Sequence, residues 1–234
     1  MIFGKKALED RNPAGMKRLS EDDAPEMYPA TTTEFADPVE SDDSTMAVLR
    51  PMLARTQLER RPLRLAFDSE EHGWSAREFH ARVDTFGAGI VLAETQGGAV
   101  CGGYNPRGWV GLGEDRDAIA AFLFTWPDGD TSKPAIKLPK VGGPSMAVVD
   151  KPDSGPQFGA EGLTIPLTPG KERVARSRLG TFYSRIDASK KRDLFAPDED
   201  WKGTTLTRLR VYVGAGKGEE WELDGIVWKS KVDE

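Results

Sequence analysis

The stretch Leu63-Arg-Leu-Ala-Phe67, an apolar run rich in strand-forming residues, opens the part of the chain that decides the fold. After a turn and a helix, it is followed by Val100-Cys-Gly-Gly-Tyr104 and then by Phe122-Leu-Phe-Thr-Trp126. Both later runs are short, apolar and bounded by Gly, Pro or Asp, which is typical of buried strands. The pattern predicts that these three segments are strands of a β-rich domain.

The helix between the first two runs carries its own start signal. Ser75 followed three residues later by Glu78 is the pattern of a capping box, and Trp74 with Phe79 has the spacing of a hydrophobic staple. We expect this helix to end at about Val83 or Phe86.

Further strands follow along the chain. Ile90–Thr95 and Ala99–Tyr104 are separated by Gln96-Gly97-Gly98, a hairpin signal. Thr205–Val213 alternates apolar and polar residues, which predicts a half-exposed strand, and Trp221–Trp228 is predicted as a final strand. Many short strands with few helices indicate an α+β, β-rich fold: a two-sheet antiparallel β-sandwich flanked by a few helices, with an extended N-terminal tail.

The chain divides at about residue 43. Residues 1–43 are acidic and rich in Pro, Thr and Ser, so they predict an extended or disordered tail that lies along a partner or stays exposed. Its apolar anchors would be Ile2, Phe3, Met27, Tyr28 and Phe35. Residues 44–234 form the predicted domain.

The domain opens with a predicted helix. Its apolar residues at helical spacing are Met46, Val48, Leu49, Met52 and Leu53. Ser44 or Thr45 is the expected cap, and Pro51 marks a kink or the first turn of a second piece.

Charge and composition exclude several classes of function. Residues 1–48 hold five Lys/Arg and eleven Asp/Glu, which leaves 27 of each sign in the remainder. A balanced domain behind an acidic tail does not favour nucleic-acid binding. No apolar run is long enough to span a membrane, and a single cysteine fits a reducing compartment. We expect a cytoplasmic protein, or one of the chloroplast or mitochondrial interior if the numbered start is a processed one.

The ordered set of motifs resembles the TLDc domain, the fold of the eukaryotic oxidation-resistance proteins. The resemblance extends from about Met46 to Lys229 and rests on the Ser69–Ser75 turn, the Gly102-Gly103-Tyr104 step, Trp109 and the terminal Glu220–Trp228 segment. Residues 130–143 and 175–183 look closer to plant and algal members than to animal ones.

The resemblance implies a β-sandwich with no established catalytic centre. Relatives are connected with resistance to oxidative damage, and several bind the vacuolar-type proton ATPase. We therefore expect a non-enzymatic protein-interaction module, with that ATPase as the first partner to test. The alternatives are an accessory subunit of another organellar or cytoskeletal assembly, tethered by the tail, and a carbohydrate-binding sandwich.

Three surfaces are candidates for contact with a partner. Negative charge before a helix stabilises its N-terminus, so Glu70 and Glu71 have a structural explanation; the functional one is an acidic docking edge continued by His72. The other two candidates are the loop tryptophans Trp109 and Trp201, and the basic, Pro-punctuated segment with Lys133, Lys137 and Lys140.

Catalytic and ligand sites find little support in the sequence. Cys101 with His72 or His80 would form a redox thiol pair, but a buried free cysteine is the commoner case. We expect His72 to be a turn residue bonded to local backbone and His80 to lie on a helix surface. One Cys and two His are too few for a typical zinc site, and the glycine-rich segments lack the phosphate-loop pattern, so we expect no metal or cofactor.

Overall fold

The computed structural model describes residues 24–186 and 191–215, together with the backbone of two strands near the C-terminus. The anchors Ile2 and Phe3 and the side chains of Trp221 and Trp228 lie outside the described residues. The helices are α1 (Ser44–Leu49), α2 (Ser69–His72) and α3 (Ala76–Val83), with short 3₁₀ turns at Pro25–Met27 and Arg50–Leu53. The strands are β1 (Leu63–Asp68), β2 (Gly89–Thr95), β3 (Val100–Asn105), β4 (Glu114–Arg116), β5 (Phe122–Trp126), β6 (Ile136–Pro139), β7 (Val148–Asp150), β8 (Gln157–Phe158), β9 (Leu163–Thr164), β10 (Val174–Ala175), β11 (Thr204–Gly214), β12 (Glu220–Leu223) and β13 (Ile226–Lys229).

The strands form a large and a small antiparallel sheet. The large sheet has the order β1-β11-β2-β3-β5-β6, with β10 paired to β11, and the small one has the order β4-β7-β8-β9. β2 and β3 form the predicted hairpin, in which Ala93 pairs with Cys101. β11 comes late in the sequence but lies inside the large sheet, where it pairs with β1 on one side and with β2 on the other.

The two sheets pack face to face, which confirms the predicted sandwich. A Cβ atom added at Gly103 of the large sheet would lie 2.8 Å from the ring of Phe158 in the small sheet. Leu123 and Val148, one from each sheet, belong to the same buried core. Gly103 is therefore needed for close approach of the two sheets, whereas Gly102 faces the other side of β3, where an added Cβ would meet Val91 and Phe124 of the same sheet.

A second core covers the opposite face of the large sheet. Leu49 and Leu53, from α1 and the turn that follows it, pack there with Tyr104, Phe124 and Trp126. The burial of Trp126 confirms its predicted place in the core. The large sheet is thus buried on both faces. It lies between the small sheet and residues 44–53, which we call the helical leader.

The leader and α3 form where the sequence predicts them, but their caps differ from the predictions. Asp43, and not Ser44 or Thr45, caps α1 by accepting hydrogen bonds from the backbone of Thr45 and Met46. Pro51 falls in the first turn of the Arg50–Leu53 segment, as predicted.

The predicted capping box of α3 is wrong. The side chain of Ser75 makes no capping hydrogen bond, although α3 begins just after it and ends at Val83. The N–H of Ala76 instead donates to the carbonyl of Leu167, 3.3 Å away, so a distant loop satisfies one of the donors at this helix start. Trp74 packs against the core cluster to which Phe79 also belongs.

The C-terminal region also differs. The single strand predicted over Trp221–Trp228 is a hairpin, in which β12 and β13 pair antiparallel with Trp221 opposite Trp228. The Asp-Gly dipeptide between them in the sequence is a strong hairpin signal that the strand interpretation overlooked.

Residues 24–43 contain one 3₁₀ turn and otherwise no regular element, as expected for the tail. They nevertheless lie against the domain. The N–H of Ala36, which is buried, donates to the carbonyl of Pro51 at 3.0 Å. We call residues 24–43 the N-terminal strap.

Candidate protein-interaction surface

Three hydrogen bonds stabilise the acidic turn at residues 68–72, two within the turn and one from β11. Oδ1 of Asp68 accepts from the N–H of Glu70 at 3.0 Å, and Nδ1 of His72 accepts from the N–H of Asp68 at 3.0 Å. Oγ of Ser69 accepts from the N–H of Leu209 in β11 at 2.9 Å. These bonds confirm that His72 is a turn residue bonded to local backbone, and they fix α2 against the edge of the large sheet.

Ion pairs with Arg208 also stabilise this turn. Asp68 is buried, and its Oδ2 lies 2.6 Å from a guanidinium nitrogen of Arg208, which is also 3.1 Å from Oε2 of Glu70. Burial opposes ionisation of Asp68, but the hydrogen bonds from Arg208 and the Glu70 N–H outweigh it and lower the pKa of this carboxyl. Glu70 and Glu71 remain exposed above the buried pair. The structure thus brings Glu70, Glu71 and His72 together on one fixed edge.

Sequence reasoning missed Asp68 and Arg208 as the supports of this edge. Asp68 ends β1 and precedes Glu70 by two residues, which is a capping signal that could have been found. Arg208 is 140 residues away in β11, and only the pairing of β11 with β1 brings it there.

Trp201 is the exposed loop tryptophan. Its side chain lies in the turn before β11, with 41% of the residue surface exposed. Arg178 and Lys202 lie near its ring, 5.7 and 5.5 Å from the centroid. The prediction of an exposed aromatic surface at Trp201 is confirmed.

Trp109 is a correction. It is 1% exposed and packs edge-to-face on Phe79 at a centroid distance of 5.5 Å. The chain around Trp109 makes a parallel bridge with Asp84, which brings the loop beneath α3 and buries the indole. Trp109 is therefore a core residue, and the carbohydrate-binding alternative is left with Trp201 alone.

The three lysines do not form one basic surface, so this prediction is wrong. Lys133 is exposed and lies 2.8 Å from Asp128 and 2.9 Å from Asp130. Nζ of Lys137 donates to a backbone carbonyl of the leader at 2.6 Å, and burial lowers its pKa to about 8. Lys140 is 5% exposed and lies near aromatic rings. Residues 136–139, between Lys133 and Lys140, form the edge strand β6. Its pairing with β5 turns alternate side chains toward the interior.

Cys101 lies in the middle of β3 with no exposed surface. Burial, with a smaller contribution from the charge of Glu199, raises the pKa of its thiol to about 12. A reactive thiol needs access and a lowered pKa, and Cys101 has neither. It behaves as a small hydrophobic residue of the sandwich core.

His80 is a second correction, because it is buried and not on a helix surface. Its Nε2 lies 2.8 Å from the carbonyl of Lys151 and 2.9 Å from that of Ser154, and its Nδ1 lies 2.8 Å from Oδ1 of Asp84. Carbonyl and carboxylate oxygens only accept here, so both ring nitrogens donate and the ring is an imidazolium. Burial works against that charge, but Asp84 and the Ser154 carbonyl, helped by Asp150, outweigh it and raise the pKa of His80 above its ordinary value of 6.5.

Near His80, an ion pair is fully buried. Nε of Arg116 lies 3.5 Å from Oδ2 of Asp150, and the same oxygen accepts from the N–H groups of Val110 and Gly111. Burial raises the pKa of Asp150 and lowers that of Arg116. Since the pair joins β4, β7 and the loop that precedes β4, its role is structural.

Within residues 24–186, 191–215 and the two C-terminal strands, no three His, Cys, Asp or Glu side chains cluster in the manner of metal ligands. In the same part of the chain, no helix has the length and apolar character that crossing a bilayer requires.

Comparison with known proteins identifies the family. The family model for the TLDc domain matches residues 41–208, more than two thirds of the chain. A search of curated proteins with this chain found no match. The chain therefore belongs to the TLDc domain family. That membership suggests a domain related to oxidative stress.

Proposed function

We propose that this protein is a non-enzymatic interaction module that docks on a large protein assembly through the edge formed by Glu70, Glu71 and His72. The observation that carries the proposal is the fixation of this exposed acidic edge by Asp68, Ser69 and Arg208. An edge that is ordered before binding loses little conformational entropy when a partner contacts it. Its charge suits a basic surface on the partner.

A binding role is also supported by the state of the residues that would carry catalysis. The Cys101 thiol is packed in the core with a raised pKa, and both ring nitrogens of His80 are held in hydrogen bonds. Nucleophilic or acid–base catalysis requires such groups to reach a substrate.

The vacuolar-type proton ATPase is the partner we propose, with protection against oxidative stress as the associated biology and the cytoplasm as the compartment. Family membership supports this choice, since the resemblance implies that several relatives bind this ATPase. We also propose that the protein is closer to the plant and algal members of the family than to the animal ones, on the basis of residues 130–143 and 175–183.

Purified full-length protein and the soluble sector of this ATPase test the proposal by pull-down and by biolayer interferometry. Glu71→Lys reverses an exposed charge on the edge without touching the buried support, and we expect at least a fivefold loss of affinity. Asp115→Lys is the matched control, because Asp115 is an exposed acidic residue of the small sheet. Wild-type protein that ignores this sector while pull-downs from native cells return an unrelated complex contradicts the proposal.

A second candidate function is an accessory subunit tethered by the N-terminal strap. It is favoured by the exposure of Met27 and Phe35, at 66% and 57%. Met27→Ser with Phe35→Ser should abolish binding to such an assembly while Glu71→Lys leaves it intact, and the opposite result favours the acidic edge.

A further inference from the structure

The N-terminal strap is attached to the domain by three carboxylates spaced eight residues apart. Glu26 and Glu34 bind groups of the segment that follows the Arg50–Leu53 turn, and Asp42 forms a two-point pair with Arg50 at 2.5 and 2.8 Å. The Asp42–Arg50 pair is buried, whereas the Glu34–Arg55 pair is partly exposed. The pair at Asp42 is therefore expected to contribute more to the attachment than the solvent-screened pair at Glu34.

The contact of Glu26 is the most specific of the three. Its Oε1 accepts from the hydroxyl of Tyr104 at 2.7 Å and from the N–H of Gln57 at 2.7 Å. Tyr104 is fully buried, and burial together with the charge of Glu26 raises its pKa well above 10, so its hydroxyl stays a donor. A buried hydroxyl and a backbone N–H aimed at one point form a receptor for a carboxylate.

Two cationic groups act on the carboxylates of the strap. The negative charge of Glu26 acts on the half-buried ammonium of Lys137, and Arg55 binds Glu34 through its Nε. The groove that receives the strap thus offers hydrogen-bond donors and positive charge, which suit an acidic segment in extended conformation.

The strap buries little apolar surface in this groove. Ala36 is the one buried apolar residue among strap residues 24–43, and Met27 and Phe35 are exposed. Two surface clefts adjoin the strap: one of about 770 Å³ is bounded in part by Glu26, Met27 and Gln57, and another of about 370 Å³ lies between Phe35 and Arg55. The strap is therefore held mainly by its carboxylates and little by apolar burial.

We propose that the groove around Tyr104, Gln57 and Arg55 is a binding site for an extended acidic segment of a partner protein, and that the strap occupies it in cis. A partner segment with two carboxylates at the spacing of Glu26 and Glu34 displaces the outer strap, while Asp42 keeps the strap's inner end in place. This site lies apart from the acidic edge and does not depend on the function proposed for that edge.

A fluorescein-labelled peptide of residues 24–38 tests the proposal as a probe in trans, by fluorescence anisotropy with the full chain. In the variant Glu26→Gln/Glu34→Gln the cis contacts are weakened, and we expect this variant to bind the peptide at least tenfold more tightly than the wild type. Asp37→Asn/Glu40→Gln is the matched control, because it neutralises two exposed strap carboxylates, and its affinity should equal that of the wild type.

Two further measurements show whether the groove itself is the site. Adding Tyr104→Phe to the released variant removes the hydroxyl donor and keeps the ring, so at least fivefold weaker peptide binding is expected, with circular dichroism confirming the fold. A scrambled peptide of the same composition should also bind at least fivefold more weakly. Equal affinity of the wild type and the released variant, no effect of Tyr104→Phe, or equal binding of the scrambled peptide would each overturn the proposal.

Discussion

The imidazole of His80 and the carboxylate of Asp84, one turn apart at the end of α3, are 2.8 Å apart. The other ring nitrogen bonds two carbonyl oxygens of the 151–154 turn, so the charged ring connects α3 to the small sheet. Because the pKa of His80 is raised above 6.5 in the folded protein, the contribution of this group to stability is complete below about pH 6.5. It is lost as the pH rises through the folded pKa.

We therefore expect the free energy of unfolding to fall as the pH rises above about 6.5, measured by urea denaturation at fixed ionic strength. Asp84→Asn removes the charge that raises the pKa and should flatten this dependence. Glu78→Gln is the control, since it neutralises another carboxylate of the same helix that does not contact His80. Parallel pH profiles for Asp84→Asn and the wild type would show that His80 is not the titrating group.

Arg50→Met tests the buried ion pair at the base of the strap. Asp42 would keep a buried charge without its partner, and the backbone carbonyls of residues 58, 59 and 61 would lose their donor, so we expect a loss of about 3–5 kcal/mol. Arg55→Met, which breaks the partly exposed pair with Glu34, should cost only about 0–1 kcal/mol. Chemical denaturation followed by tryptophan fluorescence measures both, and equal losses would contradict the assignment.

The hydrogen bonds from Arg50 hold the pKa of Asp42 below 3.8. The contribution of this pair is therefore present above about pH 4 and is lost as the pH falls through the lowered pKa of Asp42.

Gly102→Ala tests the close packing of β3. The new Cβ would lie 1.8 Å from the carbonyl oxygen of Val91 and 2.7 Å from the ring of Phe124. Backbone cannot rotate away as a side chain can, so we expect a loss of about 3 kcal/mol or more. Gly203→Ala, whose Cβ would meet only Val174 at 3.5 Å, should change stability by less than about 1 kcal/mol. Thermal unfolding compares the two, and a stable Gly102→Ala protein would refute the packing argument.

Cys101 should be inert in the native protein. With no exposed surface and a pKa of about 12, its thiol should not react with a disulfide reagent until the protein is unfolded, when one equivalent reacts. The proposed protection of peroxide-treated cells should be the same for Cys101→Ala as for the wild type. Rapid labelling of the folded protein, or loss of protection in this variant, would return Cys101 to consideration as a redox residue.

The strands and their hairpin were predictable because their signals are local. Alternating or continuous apolar runs bounded by Gly, as at Val100–Tyr104, depend on the residues within each strand. The capping box at Ser75 shows the limit of such signals. The residue pattern is present, yet the donor on Ala76 is taken by Leu167, some 90 positions along the chain.

Whether a side chain is exposed or buried was harder to predict, because burial depends on segments distant in sequence. Trp109 and His80 lie in local patterns typical of a loop and of a helix face, and both are buried by segments distant in sequence. Glu70 and Glu71 are exposed on the turn after β1, and the support of this turn by Arg208 depends on strand pairing.

The β-rich sandwich could be predicted from the sequence alone, because strand periodicity depends on a few neighbouring residues, and the ordered set of motifs carries the resemblance to the TLDc domain. The tertiary structure alone decided which polar groups are buried, which surfaces remain available and where the strap attaches. Those outcomes depend on partners such as Asp68 and Arg208, 140 residues apart, and no local pattern encodes which of many distant groups will satisfy a buried charge.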